Sequence, residues 1–185
     1  MEKRVLIPLA EGFEMIEALS VVDILRRGNI QVDTAALGDN LQVTSSHGVT
    51  VFADKLLSNC LDQVYDLIAL PGGIPGAENL KNSEELVGLL KKQRKEERLY
   101  GAICASPALV LEHHGMLEGK KATCHPGFVS HLSSQEHTGE KVIVDGNCIT
   151  SRGAGTSIDF ALELLAHLAG EEIRQTVKQG LALTD

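Results

Sequence analysis

Cys104 is the side chain of this 185-residue sequence whose setting best suits nucleophilic chemistry. It stands between an apolar run, Leu99–Ile103, and a segment with helical periodicity, 106–113. A sharp turn between a strand and a helix holds a side chain out towards solvent, and the small neighbours Ala102 and Ala105 leave room for such a turn. The positive end of the helix dipole favours a thiolate over a thiol. We therefore predict a reactive thiolate with a lowered pKa at Cys104, although many free cysteines are inert and buried.

Two glycines after another apolar run can supply backbone donors to the same chemistry. Pro71-Gly72-Gly73 directly follows the run 66–70. Glycine lets the backbone turn tightly and point N–H groups into a cleft, where they can bind the oxyanion that forms when a thiolate attacks a carbonyl. The alternative is a plain turn, which is the usual role of a Pro-Gly pair. We predict that Gly72 and Gly73 are oxyanion donors.

An acid and a base are available for proton transfer. Glu14 and Glu17 lie three residues apart at a predicted helix start and can face the same side, although acids there also complement the helix dipole. A carboxyl group pressed against a thiolate keeps its proton, because burial and like charge raise its pKa, and can donate a hydrogen bond to sulfur. His125, in A-T-C-H-P-G, can transfer protons if it reaches Cys104. The cysteines and histidines lack metal-ligand spacing, and we expect neither a metal nor a cofactor.

The elements that position these residues alternate between apolar strands and amphipathic helices. Predicted strands span Arg4–Leu9, 30–37, 66–70 and Leu99–Ile103, and predicted helices span 14–27, 83–97, 106–113 and 156–168, with a last helix from residue 171. Gly48 is predicted to turn a hairpin, residues 145–147 to separate two short strands, and Gly28 to end the first helix in a left-handed conformation. This alternation predicts an α/β fold with a mostly parallel sheet covered on both faces, and ligands at the C-terminal ends of the strands.

Composition limits the class of protein. The length fits one domain over residues 1–185, with 43% hydrophobic and 23% charged residues, as in ordinary globular proteins. A net charge of -8 and an aromatic content of only 3% argue against nucleic acid as a partner. The sequence shows neither a signal peptide nor an apolar run long enough to span a membrane. We therefore expect no membrane partner, a cytoplasmic location and reduced cysteines.

The chain resembles the ThiJ/PfpI superfamily, in the branch of the parkinsonism-linked protein deglycase. Four segments carry the resemblance in the right order: E-G-F-E-M-I-E, L-P-G-G-I-P-G-A-E-N-L, A-I-C-A-S-P and T-S-R-G-A-G-T-S-I-D-F-A-L. It implies a flavodoxin-like three-layer sandwich with a strand, nucleophile elbow and helix, and it implies a homodimer. It also assigns roles to residues: nucleophile to Cys104, its hydrogen-bonding glutamate to Glu17, pocket histidine to His125, backbone donors to Gly73 and Ala105, and an arginine approaching the pocket from the first helix to Arg27.

Two departures from the family pattern bear on function. Protease members carry a histidine directly after the nucleophile, whereas this sequence has Ala105, so we do not expect a peptidase. The position of a pocket-edge arginine in the branch is His47 here, and Glu14 is expected at the pocket as well.

The leading hypothesis is a glutathione-independent glyoxalase. The resemblance implies that Cys104 converts methylglyoxal or glyoxal to lactate or glycolate, with protein deglycation as a further activity. The alternative is a redox-sensing or chaperone-like stress protein that acts through oxidation of Cys104. A hydrolase of the glutamine amidotransferase type ranks last, because no partner acid pair for its triad is apparent.

Overall fold

The computed structural model describes residues 3–183. The strands are Arg4–Leu9 (β1), Gln31–Ala36 (β2), Gln42–Thr44 (β3), Thr50–Phe52 (β4), Lys55–Leu56 (β5), Leu67–Leu70 (β6), Leu99–Ile103 (β7), Val142–Asp145 (β8) and Cys148–Ser151 (β9). The α-helices are Met15–Arg27 (α1), Gly76–Asn82 (α2), Glu84–Lys95 (α3), Ser157–Ala169 (α4) and Glu171–Gly180 (α5). Shorter helical segments span Leu57–Cys60, Pro107–Glu112, Pro126–His131 and Ala154–Thr156. No helix in the described part of the chain is long and apolar enough to cross a membrane.

The central sheet is mostly parallel. Within residues 3–183, seven strands pair in the order β5-β2-β1-β6-β7-β9-β8, and β3 and β4 form a separate antiparallel hairpin. Each neighbouring pair in the sheet is parallel except β8 with β9, which a tight turn at Gly146 joins. Crossover connections between parallel strands place helices on both faces, so the predicted α/β architecture with a covered, mostly parallel sheet is confirmed.

Two apolar cores cover the two faces of the sheet. Val5, Ile7 and Leu9 of β1 face a core shared with α1, α4 and α5, whereas Leu6 faces a core shared with α2, α3 and Pro107–Glu112. Side chains of a strand alternate between faces, so a strand buried on both sides must be apolar at nearly every position. This burial explains why β1, β6 and β7 could be predicted as apolar runs, and why the end of each run marks the end of the strand.

Helix α1 is capped by a side chain at its start and ends at a left-handed residue. Glu14 caps the start, where a carboxylate oxygen accepts the N–H of Ile16 at 3.4 Å. The prediction that Gly28 is left-handed is wrong: its φ is -82°, and Asn29 adopts the left-handed conformation with φ 59°. Glycine is needed at 28 because a Cβ there would lie 2.4 Å from Cδ1 of Leu165, where α1 and α4 approach closely.

Five elements were not predicted: β5, α2 and the short helical segments Leu57–Cys60, Pro126–His131 and Ala154–Thr156. β5 has two residues, too few for a recognisable periodicity. α2 begins at Gly76, directly after a Pro- and Gly-rich segment that indicates a turn. Pro126–His131 is a short 3₁₀ segment that begins at a proline.

Candidate active site

A cavity of about 430 Å³ opens at the C-terminal ends of the strands, where α/β folds bind ligands. Its lining includes Glu14, Glu17, Cys104, His125, Arg152 and residues 153–156. The fold therefore brings four residues singled out in the sequence into one cavity, although they come from three separate parts of the chain. Across the described residues, no three His, Cys, Asp or Glu side chains cluster in a way that could hold a metal ion.

Cys104 occupies a strained turn at the end of β7. Its φ is +65°, a left-handed conformation that costs a residue with a Cβ about 1–2 kcal/mol. Two backbone hydrogen bonds hold it: the N–H of Cys104 donates to the carbonyl of Ser151 at 3.1 Å, and its carbonyl accepts the N–H of His125 at 2.8 Å. The turn leaves the Cys104 thiol half-buried beside the cavity, whereas Cys60, Cys124 and Cys148 are buried.

The Glu17 carboxyl group lies against the Cys104 sulfur. The residue is 1% exposed, and its Oε2 accepts the N–H of Gly72 at 2.8 Å. Its Oε1 is buried and has no hydrogen-bond partner among the described residues. The carboxyl group nonetheless lies close enough to the Cys104 thiol for each group to shift the pKa of the other.

Cys104 and Glu17 control each other's ionisation. Burial raises the pKa of Glu17 from its ordinary 4.5 to about 7, although hydrogen bonds from Gly72 and Cys104 oppose the rise. Burial and the negative charge of Glu17 raise the pKa of the Cys104 thiol to about 12, and the N–H groups of Gly73 and Ala105 oppose that rise. Two adjacent negative charges are unfavourable at this site, so above about pH 7 the pair holds one proton between carboxylate and sulfur.

Burial and the charge of Glu17 oppose the lowered thiol pKa that the sequence predicts for Cys104, which stays a prediction. The helical segment after the cysteine, whose dipole favours the thiolate, is only Pro107–Glu112. A thiolate exists here when Glu17 takes the proton and donates it back to sulfur as a hydrogen bond. The reactive state is therefore a property of the pair.

The backbone donors differ from the prediction at one position. The N–H groups of Gly73 and Ala105 both lower the pKa of the Cys104 thiol, as backbone donors near its sulfur do. Gly72 does not, because its N–H is used on Oε2 of Glu17. Gly72 instead allows the close approach of the pair: a Cβ there would lie 2.6 Å from Cβ of Cys104 and 2.8 Å from Oε2 of Glu17.

Gly153 lies where the Glu17 carboxyl group, the Cys104 sulfur and the His125 ring meet, and it was not among the residues predicted from the sequence. A Cβ at Gly153 would lie 3.4 Å from Cδ2 of His125, and 3.8 Å from both the Cys104 sulfur and Oε1 of Glu17. Nδ1 of His125 accepts the N–H of Gly127 at 3.0 Å. In the neutral imidazole the proton is then on Nε2, where His125 can donate it.

Glu14 and His47 lie at the mouth of the cavity. Oε2 of Glu14 accepts the hydroxyl of Ser46 at 3.1 Å and lies 3.4 Å from Nδ1 of His47. The His47 side chain is 68% exposed, whereas that of Glu14 is 13% exposed. The Glu14 side chain thus lines the cavity and is mostly buried, and its negative charge contributes to the raised pKa of Glu17.

Arg27 does not reach the cavity of its own chain. It ends α1, is half exposed, and its Nε donates to Asp23 at 2.7 Å. Ten residues of helix separate it from Glu17, a rise of about 15 Å. The arginine that lines the cavity is Arg152, directly after β9. The segment T-S-R-G-A-G-T-S that contains it carries the family resemblance, but Arg152 was not among the predicted site residues.

Comparison with known proteins places this site in a family. The model of the DJ-1/PfpI family matches residues 3–167. Protein DJ-1 homolog B of Arabidopsis thaliana is 50% identical over 169 residues, which are 91% of this chain but 39% of that protein, so the chain spans less than half of its length. Glutathione-independent glyoxalase DJR-1.2 of Caenorhabditis elegans is 32% identical, over 94% of this chain and 92% of the relative.

A solved structure gives the same result. The structure of oxidized Toxoplasma gondii DJ-1 superposes with a TM-score of 0.96 at 39% identity, over 99% of this chain and 100% of that chain. The nearly complete superposition covers the strand, turn and cavity described above. The chain belongs to the DJ-1/PfpI family.

Proposed function

We propose that this chain is a cysteine-dependent, glutathione-independent glyoxalase that acts on small 2-oxoaldehydes. The observation that carries the proposal is the convergence of a strained, cavity-facing Cys104, the buried Glu17 carboxyl and His125 around Gly153. The family relative from C. elegans is named for this activity. The cavity of about 430 Å³ suits a molecule the size of methylglyoxal.

The first step joins substrate to sulfur. The Cys104 thiolate attacks the aldehyde carbon of methylglyoxal, and the carbonyl π pair moves to oxygen. The N–H groups of Gly73 and Ala105, which lie near the sulfur in the free site, stabilise the oxyanion. Glu17, which took the proton when the thiolate formed, returns it to this oxygen and leaves a neutral hemithioacetal.

The next steps convert the hemithioacetal into lactate. Glu17, a carboxylate after that transfer, removes the C1 proton to give an enediolate, which the Nε2–H of His125 stabilises. Return of that proton to C2, while the C1 hydroxyl proton passes to the C2 oxygen, gives the thioester. Water then attacks the thioester carbonyl, and the sulfur leaves as a thiolate. The net reaction adds one water to methylglyoxal to form lactate, with no external oxidant or reductant. Release of the same aldehydes from glycated side chains is the corresponding deglycase activity.

Lactate formation tests this proposal. Purified protein incubated with methylglyoxal and no glutathione should produce lactate, and Cys104→Ala should produce none. Cys124→Ala is the matched control, because Cys124 precedes His125 but is buried away from the cavity lining. Absence of lactate from the wild-type chain, or equal lactate from Cys104→Ala, would refute a cysteine-dependent glyoxalase.

Redox sensing is a second candidate, favoured by the contrast in exposure among the cysteines. Cys104 alone among the four faces the cavity, so peroxide reaches it first. Intact-mass measurement after brief peroxide treatment should show two added oxygen atoms on the wild-type chain and none on Cys104→Ala. Rapid oxidation together with negligible methylglyoxal consumption would select sensing over catalysis.

A homodimer is part of the proposal, because an apolar face lies beside the cavity. Ile16 and Leu19 of α1 and Phe52 of the β3–β4 hairpin are 51%, 39% and 75% exposed. The hairpin is joined to the start of α1 by a hydrogen bond from Ser46 N–H to the Phe13 carbonyl at 2.9 Å. Burial of this face against a second copy removes apolar surface from water.

The dimer also bears on Arg27. Arg27 continues the face of α1 that carries Ile16 and Leu19, so it can approach a cavity only in a second copy. Phe52→Asp should convert a dimer into monomers in light-scattering measurements. A wild-type chain that is monomeric at micromolar concentration would exclude both the dimer and the predicted role of Arg27.

We also propose that the chain works in the reducing cytosol. Its four cysteines are free thiols, which persist where glutathione keeps them reduced. Fractionation of cells that express the full-length protein tests the location.

A further inference from the structure

Arg152 is a cavity-lining cation without an anionic partner. In the part of the chain that the structure describes, no carboxylate lies within 4.0 Å of its guanidinium. Its Nε is buried and makes no hydrogen bond. Other arginines pair with carboxylates: Arg4, Arg26, Arg27, Arg98 and Arg174.

The position of Arg152 connects it directly to Cys104. Its two chain neighbours both approach the cysteine: the Ser151 carbonyl accepts the Cys104 N–H at 3.1 Å, and a Cβ on Gly153 would lie 3.8 Å from the sulfur. The Arg152 charge also reaches the segment before His125. Burial raises the pKa of the Cys124 thiol to about 11, and the Arg152 guanidinium opposes that rise.

A buried donor without a partner is unfavourable, and a guanidinium is best satisfied by a planar carboxylate that accepts two hydrogen bonds. The acidic groups that face the same cavity, Glu14 and Glu17, have other partners in Ser46 and Gly72. Because Nε of Arg152 is itself out of contact with solvent, an anion that enters the cavity meets the rest of the guanidinium, which lines it.

We propose that Arg152 is a specificity-determining residue that binds the carboxylate of small 2-oxo and 2-hydroxy acids of two or three carbons in the cavity beside Cys104. The link to aldehyde chemistry rests on the proposed function: glycolate and lactate are the products of that reaction, and glyoxylate is an aldehyde that carries a carboxylate. The binding itself does not depend on turnover.

Alkylation of Cys104 by two matched reagents tests the anion preference. Iodoacetate carries a carboxylate and iodoacetamide a neutral amide, so the ratio of their rate constants cancels changes in sulfur reactivity. The ratio should fall about tenfold in Arg152→Gln, the loss expected for one charge-assisted hydrogen bond, and less in Arg152→Lys. Lys141→Gln is the control: it removes the same charge from a side chain that is 73% exposed and does not line the cavity, and should leave the ratio unchanged.

Equal ratios in the wild-type chain and Arg152→Gln would overturn the proposal. An equal fall in Lys141→Gln would also overturn it, because the effect would then be one of overall charge. If Arg152→Gln does not fold, the ratio of the two alkylation rate constants can still be compared between the wild-type chain and Arg152→Lys.

Calorimetric binding separates this inference from the proposed function. With Cys104→Ser, which cannot turn over substrate, glycolate should bind and its neutral amide, glycolamide, should bind at least tenfold more weakly. Glyoxylate in the same assay distinguishes a substrate-type acid from a product-type acid. Failure of both acids to bind would refute the role of Arg152 even if the wild-type chain forms lactate, whereas binding without lactate formation would refute only the proposed reaction.

Discussion

Replacement of Glu17 by glutamine should change how the stability of the fold depends on pH. The folded chain binds a proton at Glu17 up to about pH 7, whereas the unfolded chain releases it near the ordinary value of 4.5. Between these values, rising pH favours the unfolded state, so the burial of Glu17 becomes more costly. The difference between 4.5 and about 7 corresponds to about 3 kcal/mol of unfolding free energy, at about 1.4 kcal/mol for each factor of ten.

Glutamine removes this titration and keeps much of the geometry. Its carboxamide oxygen can still accept the N–H of Gly72, which is 2.8 Å from Oε2 in the wild-type chain. The raised pKa of Cys104 affects stability only above the ordinary cysteine value of about 8.5, outside this window. The stability of Glu17→Gln minus that of the wild-type chain should therefore rise by about 3 kcal/mol between pH 4.5 and pH 8.

Urea unfolding at several pH values measures this difference. Other titrating groups contribute equally to both proteins and cancel, provided that unfolding is two-state in each. A Glu17→Gln difference that stays constant within about 0.5 kcal/mol would refute the assignment of a proton to Glu17 near neutrality.

Two further predictions follow from packing and charge. Gly72→Ala would place a Cβ 2.6 Å from Cβ of Cys104 and 2.8 Å from Oε2 of Glu17. We therefore expect the free energy of unfolding in urea to fall by about 2 kcal/mol and the alkylation of Cys104 to become much slower. Wild-type values for both would contradict the close packing. Asp33→Asn should cost about 3 kcal/mol at pH 7, because it leaves Arg4, 2.8 Å from the Asp33 carboxylate, without its charge partner. Burial raises the pKa of Asp33, but its hydrogen-bond partners, Arg4 among them, hold that pKa below its ordinary 3.8. The cost of the substitution should therefore disappear as pH falls below that value. A pH-independent cost would show that the charge is not responsible.

Local sequence patterns were sufficient for the central strands of the sheet and for the turn at Cys104. β1 and β7 are buried on both faces, so their apolar runs are continuous and their ends are sharp. The turn at Cys104 follows from a strand that ends at small residues, and the observed φ of +65° has the strain expected of such an elbow.

Properties that depend on distant parts of the chain were not predictable. The pKa of Cys104 is set by Glu17, 87 positions earlier in the chain, and by burial that only the folded sheet creates. The helix dipole, which is local, includes neither of these causes. Arg27 was assigned by resemblance, but a position fixes neither the direction of a side chain nor the copy of the chain that it faces. Arg152 and Gly153 lay inside a noted motif, and only the tertiary structure shows which of its residues face the cavity.

The pH dependence of Cys104 alkylation by iodoacetamide tests the shared proton most directly. Because the one-proton state of the pair appears as Glu17 titrates, the rate should rise with a midpoint near pH 7 in the wild-type chain. In Glu17→Gln the midpoint should move upward, since the amide cannot take the proton from sulfur. A wild-type rate that follows the ordinary cysteine midpoint of about 8.5, matches the denatured chain and is unchanged in Glu17→Gln would contradict the account.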